Sequence, residues 1–379
     1  LVFTFQGQNG DRMKFTRCRT CVIPNTRPDT HFDETGQCSA CRSYAKRPQI
    51  DWEARKDDLI ALLDRHNGKC IVPSSGGKDS TYQVMALLEL GADVTIVTAR
   101  TCHLTDIGRK NIDNLARHAR TIEYVPNMTV RAKLNRLGLE LVGDISWPEH
   151  VSIFTTPFRA AVQLGIPLIF YGENPQDQYG GPVGSDEAKQ MTLRWRSEFG
   201  GFLGLRPSDL IGQHGITKQD MSDYSLPGTE EMQALGVEAH FLGQYLPWDS
   251  HQNAGIAMLA GMEYEAPSPA NWWPWENLDN AQTGVHDHMM WRKYGYGRGA
   301  AQVSVDIRSG RVTREEAMKF VQERDGKFPQ IYAGVSIAEI LDRIGMTRQE
   351  LNVIMDKFTN WEIMRRVVDD ASATPILIC

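Results

Sequence analysis

The segment Ser75-Gly76-Gly77-Lys78-Asp79-Ser80 has the residue types of an anion-binding loop. Two adjacent glycines let the backbone approach an anion without a Cβ in the way. The flanking Ser and Asp side chains suit the first turn of a helix, whose unpaired N–H groups and positive dipole end favour phosphate. The spacing differs from a Walker A loop, in which separated glycines precede Lys-Ser or Lys-Thr. The segment therefore predicts a phosphate site, and an ordinary turn between strand and helix is the alternative.

Four of the seven cysteines form two Cys-x2-Cys pairs, Cys18 with Cys21 and Cys38 with Cys41. This spacing is typical of a zinc ribbon, because each tight turn can direct two thiolates at one ion. The intervening residues are mostly turn formers, so the metal would supply stability that a small core cannot. Two disulfides or an iron–sulfur cluster are the alternatives. A closed four-thiolate site has no open coordination position, which predicts a structural or partner-docking role.

Short apolar runs alternate with helical patterns from residue 51 onward, which predicts an α/β fold with a doubly wound parallel sheet. The predicted strands are 70–73, 92–99, 121–125 and 167–171, and the predicted helices between them include 106–117, 131–141 and 149–164. Ligands of such sheets bind beyond the carboxyl ends of the strands, near the point where the strand order reverses. The phosphate loop directly follows the first strand and therefore lies at that edge.

The pattern Ser-Gly-Gly-x-Asp-Ser resembles the PP-loop of the ATP-pyrophosphatase superfamily, which holds the β,γ-pyrophosphate of ATP while a nucleophile attacks the α-phosphate. The resemblance implies pyrophosphate contacts from Ser75 to Ser80. Thr98 and Arg100, which follow the second strand at the same edge of the sheet, are expected to contact the adenosine, and Gly172 after the fourth strand is a further candidate ATP contact. Glu173 and Asp177 are candidates to hold Mg²⁺ or to orient the nucleophile, unless they only build the turn. The predicted catalytic residues are Lys78, Asp79, Glu173 and Asp177.

The second half of the chain is dense in Trp, Tyr, His and Gly rather than in alternating strands and helices. Aromatic faces with interspersed polar groups suit sugar rings, whose C–H faces stack while their hydroxyls form hydrogen bonds. An aromatic core with surface histidines is the alternative. From residue 313 onward the pattern predicts amphipathic helices, including one with a capping box at Thr347 and Glu350. The candidate substrate contacts are Asn174, Trp248, Asp249, His286, Tyr294 and Arg298.

The length of 379 residues allows several domains. We expect a leader left by tag cleavage at 1–12, a zinc-binding module at 13–50, an ATP-binding domain at 51–200 and a mainly helical substrate-binding region at 201–379. The net charge of −6 argues against a surface built to coat nucleic acid or an anionic membrane. The sequence shows no apolar run of membrane-spanning length and no signal peptide, and an ATP-using enzyme is expected in the cytoplasm.

Taken together, the motifs resemble those of the N-acetyl sugar amidotransferase family in both type and order, from about Arg17 to Pro329. These bacterial enzymes of surface-polysaccharide and flagellin-sugar pathways convert an acetamido group to an acetamidino group. The motifs that carry the resemblance are the two cysteine pairs, Ser75 to Ser80, Gly172 to Gly181, Pro247-Trp248-Asp249, Tyr294 to Arg298 and Ile307 to Ala317.

The resemblance implies that the amide oxygen of an acetamido sugar attacks the α-phosphate of ATP, forming an O-adenylyl imidate and releasing pyrophosphate. Lys78 and Mg²⁺ would offset the growing charge, zinc would be structural, and ammonia would displace AMP. The sequence shows no glutaminase constellation of Cys, His and acid. The implied ammonia source is therefore a separate glutaminase subunit, which in this family resembles that of imidazole glycerol phosphate synthase.

Two other functions are compatible with parts of the pattern. A PP-loop tRNA thiolase uses the same adenylation step but needs sulfur-handling cysteines, of which only Cys70, Cys102 and Cys379 lie outside the pairs. A non-catalytic scaffold that recruits partners through the zinc module would not need an intact phosphate loop. The sequence leaves open which acetamido sugar is used, whether it carries a nucleotide, and whether the chain forms a homo-oligomer.

Overall fold

A five-stranded parallel sheet in the order β3-β2-β1-β4-β5 forms the centre of the protein. Its strands are β1 (Lys69–Pro73), β2 (Asp93–Ala99), β3 (Arg120–Tyr124), β4 (Leu168–Tyr171) and β5 (Glu238–Phe241). This computed structural model describes residues 15–173, 190–192, 194–196, 200–365 and 376–377. The predicted leader, Asn174, Asp177 and Cys379 lie outside the described residues. The strand order reverses between β1 and β4, so the phosphate loop after β1 lies at the switch point, as predicted.

Helices cover both faces of the sheet, as the alternating pattern predicts. Those of the first half are α1 (Ser39–Lys46), α2 (Trp52–Arg65), α3 (Lys78–Glu89), α4 (Asp106–Leu115), α5 (Met128–Val142), α6 (Trp147–Ile153) and α7 (Thr156–Leu164). Strand β4 is buried along its whole length, which accounts for its uninterrupted apolar sequence.

The single helix predicted over 149–164 is wrong, because the structure contains two helices, α6 and α7, with a break at Phe154 and Thr155. Pro157 lies in the first turn of α7, where its missing N–H is tolerated. The same residue could not donate to the carbonyl of Ile153 in a continuous helix, so the proline separates the two segments.

The fifth strand was not predicted from the sequence. Strand β5 pairs in parallel with β4, with Phe170 opposite His240. It belongs to the sheet although it lies beyond residue 200, the predicted end of the ATP-binding domain. The domain boundary predicted at residue 200 stays a prediction. A helix from the later part of the chain packs along α3, so the sheet and the later helices are in continuous contact.

The C-terminal part is mainly helical, as predicted. Its helices are α8 (Thr229–Leu235), α9 (Ser250–Leu259), α10 (Thr283–Tyr294), α11 (Arg298–Arg308), α12 (Arg314–Arg324), α13 (Ile337–Arg343) and α14 (Arg348–Phe358). Short two-residue strands form two antiparallel pairs, β6 (Ile331–Tyr332) with β7 (Val335–Ser336) and β8 (Met364–Arg365) with β9 (Ile376–Leu377). The capping box at Thr347 and Glu350 is confirmed by reciprocal hydrogen bonds at the start of α14.

The cysteine module packs against the C-terminal helices. Its buried cysteines share one apolar cluster with Tyr294, Ala300 and Phe320. Arg314 at the start of α12 donates to the backbone carbonyls of Cys18 and Cys21, at 3.2 and 3.1 Å. The first and last thirds of the chain are therefore held together at this cluster. Within the described part of the chain, no helix has the length and apolarity needed to cross a membrane.

Candidate functional site

The phosphate loop has a conformation that its own residues determine. Gly76 adopts φ +78°, and a Cβ at that position would lie 2.7 Å from the backbone nitrogen of Ile112, so only glycine fits. The Gly76 N–H donates to Ser74 Oγ at 2.9 Å, and Ser74 Oγ donates to Ser80 Oγ at 2.9 Å. Gly77 then caps α3 without a side chain. Hydrogen bonds within the loop itself thus set its shape, and the loop leads directly into the N-terminus of α3, which favours an anion.

A cavity of about 350 Å³ opens at this loop. It brings together the predicted residues Ser75 to Ser80, Gly172 and Glu173. It also includes groups that the sequence analysis did not single out: Gln83, Thr101, Asn111, Arg131, Glu149, Trp275, Glu276, Asn277 and Asp279. The size and the mixture of polar and apolar walls are those of a small-molecule site.

Lys78 is the central cation of the cavity and is only 4% exposed. Its Nζ lies 2.5 Å from Asp79 Oδ2, 3.1 Å from Glu276 Oε2 and 5.7 Å from the centre of the Trp273 ring. Burial alone would lower the pKa of Lys78, but the two carboxylates raise it above its ordinary value. The lysine therefore stays charged in a largely desolvated site, as a group that stabilises phosphate charge must.

Asp79 connects the loop to the C-terminal half. Its Oδ2 accepts from Lys78, and its Oδ1 accepts from Asn253 Nδ2 on α9 at 3.0 Å. Helix α9 packs along α3, so this hydrogen bond is part of a broad helix contact. The predicted catalytic pair of Lys78 and Asp79 is therefore held by residues from α9 and from the segment before α10.

Among the described residues that line the cavity, five carboxylates outnumber two cations. Burial, with a contribution from Asp79, raises the pKa of Glu173 to about 7, although Lys78 opposes the shift. Burial likewise raises the pKa of Asp279 to about 6. Carboxylate oxygens are the ligands that Mg²⁺ prefers, and Asp79 and Glu173 could supply them beside the phosphate loop. The donor set of the described residues fits a divalent cation, and Asp177 lies outside them.

Several predicted contacts lie away from the cavity. Thr98 is buried in β2 and Arg100 pairs with Glu123 at 3.3 Å, while their neighbours Ala99 and Thr101 line the cavity instead. Trp248 lies beneath Gly172, where a Cβ would be 3.0 Å from its ring. The roles predicted for Thr98, Arg100 and Trp248 therefore stay predictions.

The other four candidate substrate contacts also have protein partners outside the cavity. Asp249 caps α9 and pairs with Arg311, and His286 Nδ1 lies 2.7 Å from Asp144 Oδ1. Tyr294 is buried in the cluster of the cysteine module, and Arg298 pairs with Asp287 at 2.9 Å beside a space of only about 10 Å³. Their assignment to substrate binding likewise stays a prediction.

Glu276 and Asp279 are the functional candidates that sequence reasoning missed. Both belong to the segment Trp275-Glu276-Asn277-Leu278-Asp279, which enters the cavity just before α10. The signal was present as two acids directly after a tryptophan-rich run. Nothing in the local sequence shows, however, that this segment folds against a loop 200 residues earlier.

The four cysteines are arranged as zinc ligands. Cys18 Sγ lies 3.9 Å from Cys41 Sγ, and Cys21 Sγ lies 3.7 Å from Cys38 Sγ. A tetrahedron with Zn–S bonds of about 2.3 Å has edges of about 3.8 Å, so these separations fit one zinc ion. Disulfides need sulfur atoms about 2 Å apart, and all four thiols are free. A multi-iron cluster would need its thiolates set further apart, so the zinc interpretation fits best.

Comparison with known proteins gives one family match. Residues 268–366 match the family described as LPS biosynthesis protein WbpG-like, C-terminal domain. This stretch contains α10 to α14 and the segment that carries Glu276 and Asp279 into the cavity. No curated protein matches the chain significantly.

Among solved structures, an NMN synthetase from Francisella tularensis is similar at 14% identity, over 55% of this chain and 93% of that one, with a TM-score of 0.26. A score of this size lies below the level at which two folds can be equated. The α/β architecture described here therefore rests on the strand order and pairing of the chain itself.

Proposed function

We propose that this protein is an ATP-dependent amidotransferase that converts the acetamido group of a sugar into an acetamidino group. The observation that carries the proposal is the Ser75 to Ser80 loop, which lies at the switch point of the sheet and is closed by its own hydrogen bonds, with Lys78 held beside it by Asp79 and Glu276. Such a loop binds the polyphosphate of a nucleotide. Adenylation with release of pyrophosphate is the step that this arrangement suits.

The residues of the cavity have separate roles in the proposed reaction. Gly76, Gly77 and the N-terminus of α3 bind the β- and γ-phosphates, and Lys78 stabilises the charge that develops as pyrophosphate leaves. Asp79 orients Lys78, and Asp79 with Glu173 would hold Mg²⁺, which would offset the negative charge of the phosphates. Thr101 and Asp279 line the same cavity and are the proposed contacts of the substrate amide, whose oxygen attacks the α-phosphate.

The match of residues 268–366 to a lipopolysaccharide-biosynthesis domain supports a sugar as the acceptor. That region supplies Trp275, Glu276 and Asp279 to the cavity wall, so it participates in the site itself. A surface-polysaccharide precursor, carried on a nucleotide or free, is the proposed substrate. The cytoplasm is the proposed compartment, because ATP and sugar nucleotides are available there.

The proposed ammonia source is a separate glutaminase subunit. Cys70 and Cys102 are the cysteines outside the metal cluster in the described residues, and both are buried. Burial raises the pKa of each thiol to about 12, so neither is an activated nucleophile. The same argument disfavours a thiolase, which needs a reactive sulfur carrier.

The test is release of pyrophosphate and AMP by the purified protein with ATP, Mg²⁺ and ammonium. Acetamido sugars, both free and linked to UDP or CMP, are compared with bulk tRNA as acceptors. We expect turnover only with a sugar, whose mass falls by about one unit as =O becomes =NH. Turnover with tRNA alone would favour the thiolase. Absence of ATP binding would favour a non-catalytic scaffold.

A further inference from the structure

Two side chains of helix α11 accept four hydrogen bonds from a turn that contains two tryptophans. Gln302 Oε1 accepts from the backbone N–H groups of Trp272 and Trp273, at 2.7 and 3.1 Å. Asp306, one helical turn later, accepts from both indole N–H groups through Oδ2, at 2.7 and 2.9 Å. Gln302 therefore holds the backbone of the turn, and Asp306 holds its two indole rings, in addition to the packing of the rings.

The carboxylate that accepts from both indole N–H groups is buried and has a third hydrogen-bond donor. Asp306 is 2% exposed, and its Oδ1 accepts from His251 Nε2 on α9 at 2.8 Å. The His251 ring in turn meets the Trp273 ring edge to face, with centres 5.7 Å apart. Asp306 therefore sets the orientation of Trp273 both directly and through His251. Charge-assisted hydrogen bonds of this kind are stronger than neutral ones and lock side-chain rotamers.

The face of Trp273 lies beneath the phosphate-site lysine. Lys78 Nζ is 5.7 Å from the ring centre, within the range of a cation–π contact. Trp273 is 1% exposed, so this contact is desolvated and correspondingly strong. Trp273 also stacks on Trp275, which precedes Glu276, the second anionic partner of Lys78. One helix of the C-terminal region thus supports both the aromatic and the acidic contacts of Lys78.

We propose that Asp306 is a positioning residue of the phosphate site, which acts on Lys78 through the ring of Trp273. This inference rests on the proposed function, in which Lys78 binds the phosphates of ATP. Asp306 touches neither ATP nor the acceptor sugar. Its effect is to hold the aromatic surface that keeps the ammonium group aimed at the loop, so its loss should weaken phosphate binding selectively.

The test uses Asp306→Asn in the full-length protein, with Mg²⁺·ATP and adenosine as calorimetric probes. The amide keeps the shape of the side chain but removes the negative charge that strengthens the hydrogen bonds from both indole N–H groups and from His251, so the hold on Trp273 loosens. We expect ATP to bind about three- to tenfold more weakly, the size of one cation–π contact, with adenosine unchanged because it carries no phosphate. Trp273→Phe, which keeps a ring but removes the N–H, should act in the same direction.

The double variant Asp306→Asn/Trp273→Phe should bind ATP no more weakly than the weaker-binding single variant. Both substitutions disturb the same connection, from Asp306 through the Trp273 ring to Lys78. Glu238→Gln is the matched control, since Glu238 is also a carboxylate paired with histidines, 2.5 Å from His66 and 2.9 Å from His240, but lies on β5 rather than on the helix that holds Trp273. It should leave ATP affinity unchanged.

Equal weakening of ATP and adenosine, or unchanged ATP affinity in Trp273→Phe, would overturn the inference and leave Asp306 a purely structural residue. Should Asp306→Asn fail to fold, Trp273→Phe decides alone. A wild-type protein that binds neither ATP nor pyrophosphate would remove the proposed function itself, and this inference with it. Wild-type ATP binding with an unaffected Trp273→Phe would remove only the inference.

Discussion

The cysteine module and the phosphate loop are both marked by short local motifs, but they are completed in different ways. All four thiolates of the module come from residues 18–41, and their sulfur separations already fit one zinc ion. The phosphate loop supplies only Asp79 as a local partner of Lys78. Its other partners, Glu276 and Trp273, come from about 200 residues later in the chain.

This difference follows from what each site must do. A structural metal site must be closed, so nearby residues can supply every ligand and no other segment is needed. A site proposed to bind a reacting phosphate must be open to substrate, and its buried charge must still be compensated. The counter-charges therefore come from distant segments, which can also contact the acceptor. We therefore expect the two sites to respond differently to substitution and to pH.

The largest expected effect is loss of the metal ligand Cys38. Cys38→Ser removes one of four thiolates, and the zinc-dependent stability lost should be at least about 5 kcal/mol, since structural zinc contributes more than this in small modules. We expect loss of bound zinc and a lower unfolding temperature, measured by elemental analysis and calorimetry. Cys102→Ser is the control, because it changes a buried cysteine outside the module, and it should leave the zinc content of the protein unchanged. A full zinc complement in Cys38→Ser would contradict the four-thiolate site.

The next largest effect is expected at Asp79. Asp79→Ala leaves Lys78 without its nearest partner and breaks the bond to Asn253, so pyrophosphate release should fall by roughly a thousandfold, or about 4 kcal/mol of transition-state stabilisation. Zinc content and unfolding temperature should change little, which separates this site from the cysteine module. Asp93→Ala, at the exposed start of β2, is the control. Full retention of pyrophosphate release would show that the loop has another function.

A smaller effect of opposite sign is expected at Glu276. Glu276→Gln removes a carboxylate that competes with phosphate for Lys78. One charge at this separation is worth about 1 kcal/mol even at the dielectric constant of water, which is a lower bound for this largely desolvated site. Pyrophosphate without Mg²⁺ should therefore bind about fivefold more tightly, as measured by calorimetry. Glu263→Gln, which removes an exposed partner of Lys110, should have no effect. Weaker binding in Glu276→Gln would mean that this carboxylate assists the phosphate site instead.

The smallest effect is a pH dependence of stability at the cavity. The pKa of Glu173 is raised to about 7 and that of Asp279 to about 6, both chiefly by burial. Because the folded state holds these protons more tightly than the unfolded chain, their contribution is complete below about pH 4 and is lost as the pH rises through 6 to 7.

Glu173→Gln should therefore flatten the fall in unfolding temperature between pH 5 and pH 7.5, without Mg²⁺ or nucleotide. Glu323→Gln, an exposed carboxylate on α12, should leave the slope as in the wild type. An identical slope in Glu173→Gln and the wild type would show that this carboxyl group does not titrate in that range. The cysteine module, whose thiolates a bound zinc ion would keep ionised, should not contribute to the slope.

Much of the sheet could be predicted because its central strands are continuous apolar runs between clear helices. Strand β5 was missed because Glu238-Ala239-His240-Phe241 is short and half polar, and only its pairing with β4 makes it a strand. The break between α6 and α7 was missed although Pro157 marks it, because the apolar spacing continues across it. Trp248 was predicted to contact substrate from its motif, and that stays a prediction. The position of its ring under Gly172 depends on the fold, and composition alone does not reveal it.

The sequence by itself determined the phosphate loop, the four-thiolate site and the parallel sheet, since each depends on residues that are close in the chain or on local periodicity. Only the tertiary structure decided that Glu276, Asp279 and Trp273 complete the cavity and that Asp306 supports them. Charge compensation and desolvation depend on distances in space between segments far apart in sequence. No local pattern encodes those distances, and they decide the state of the lysine on which the proposed chemistry depends.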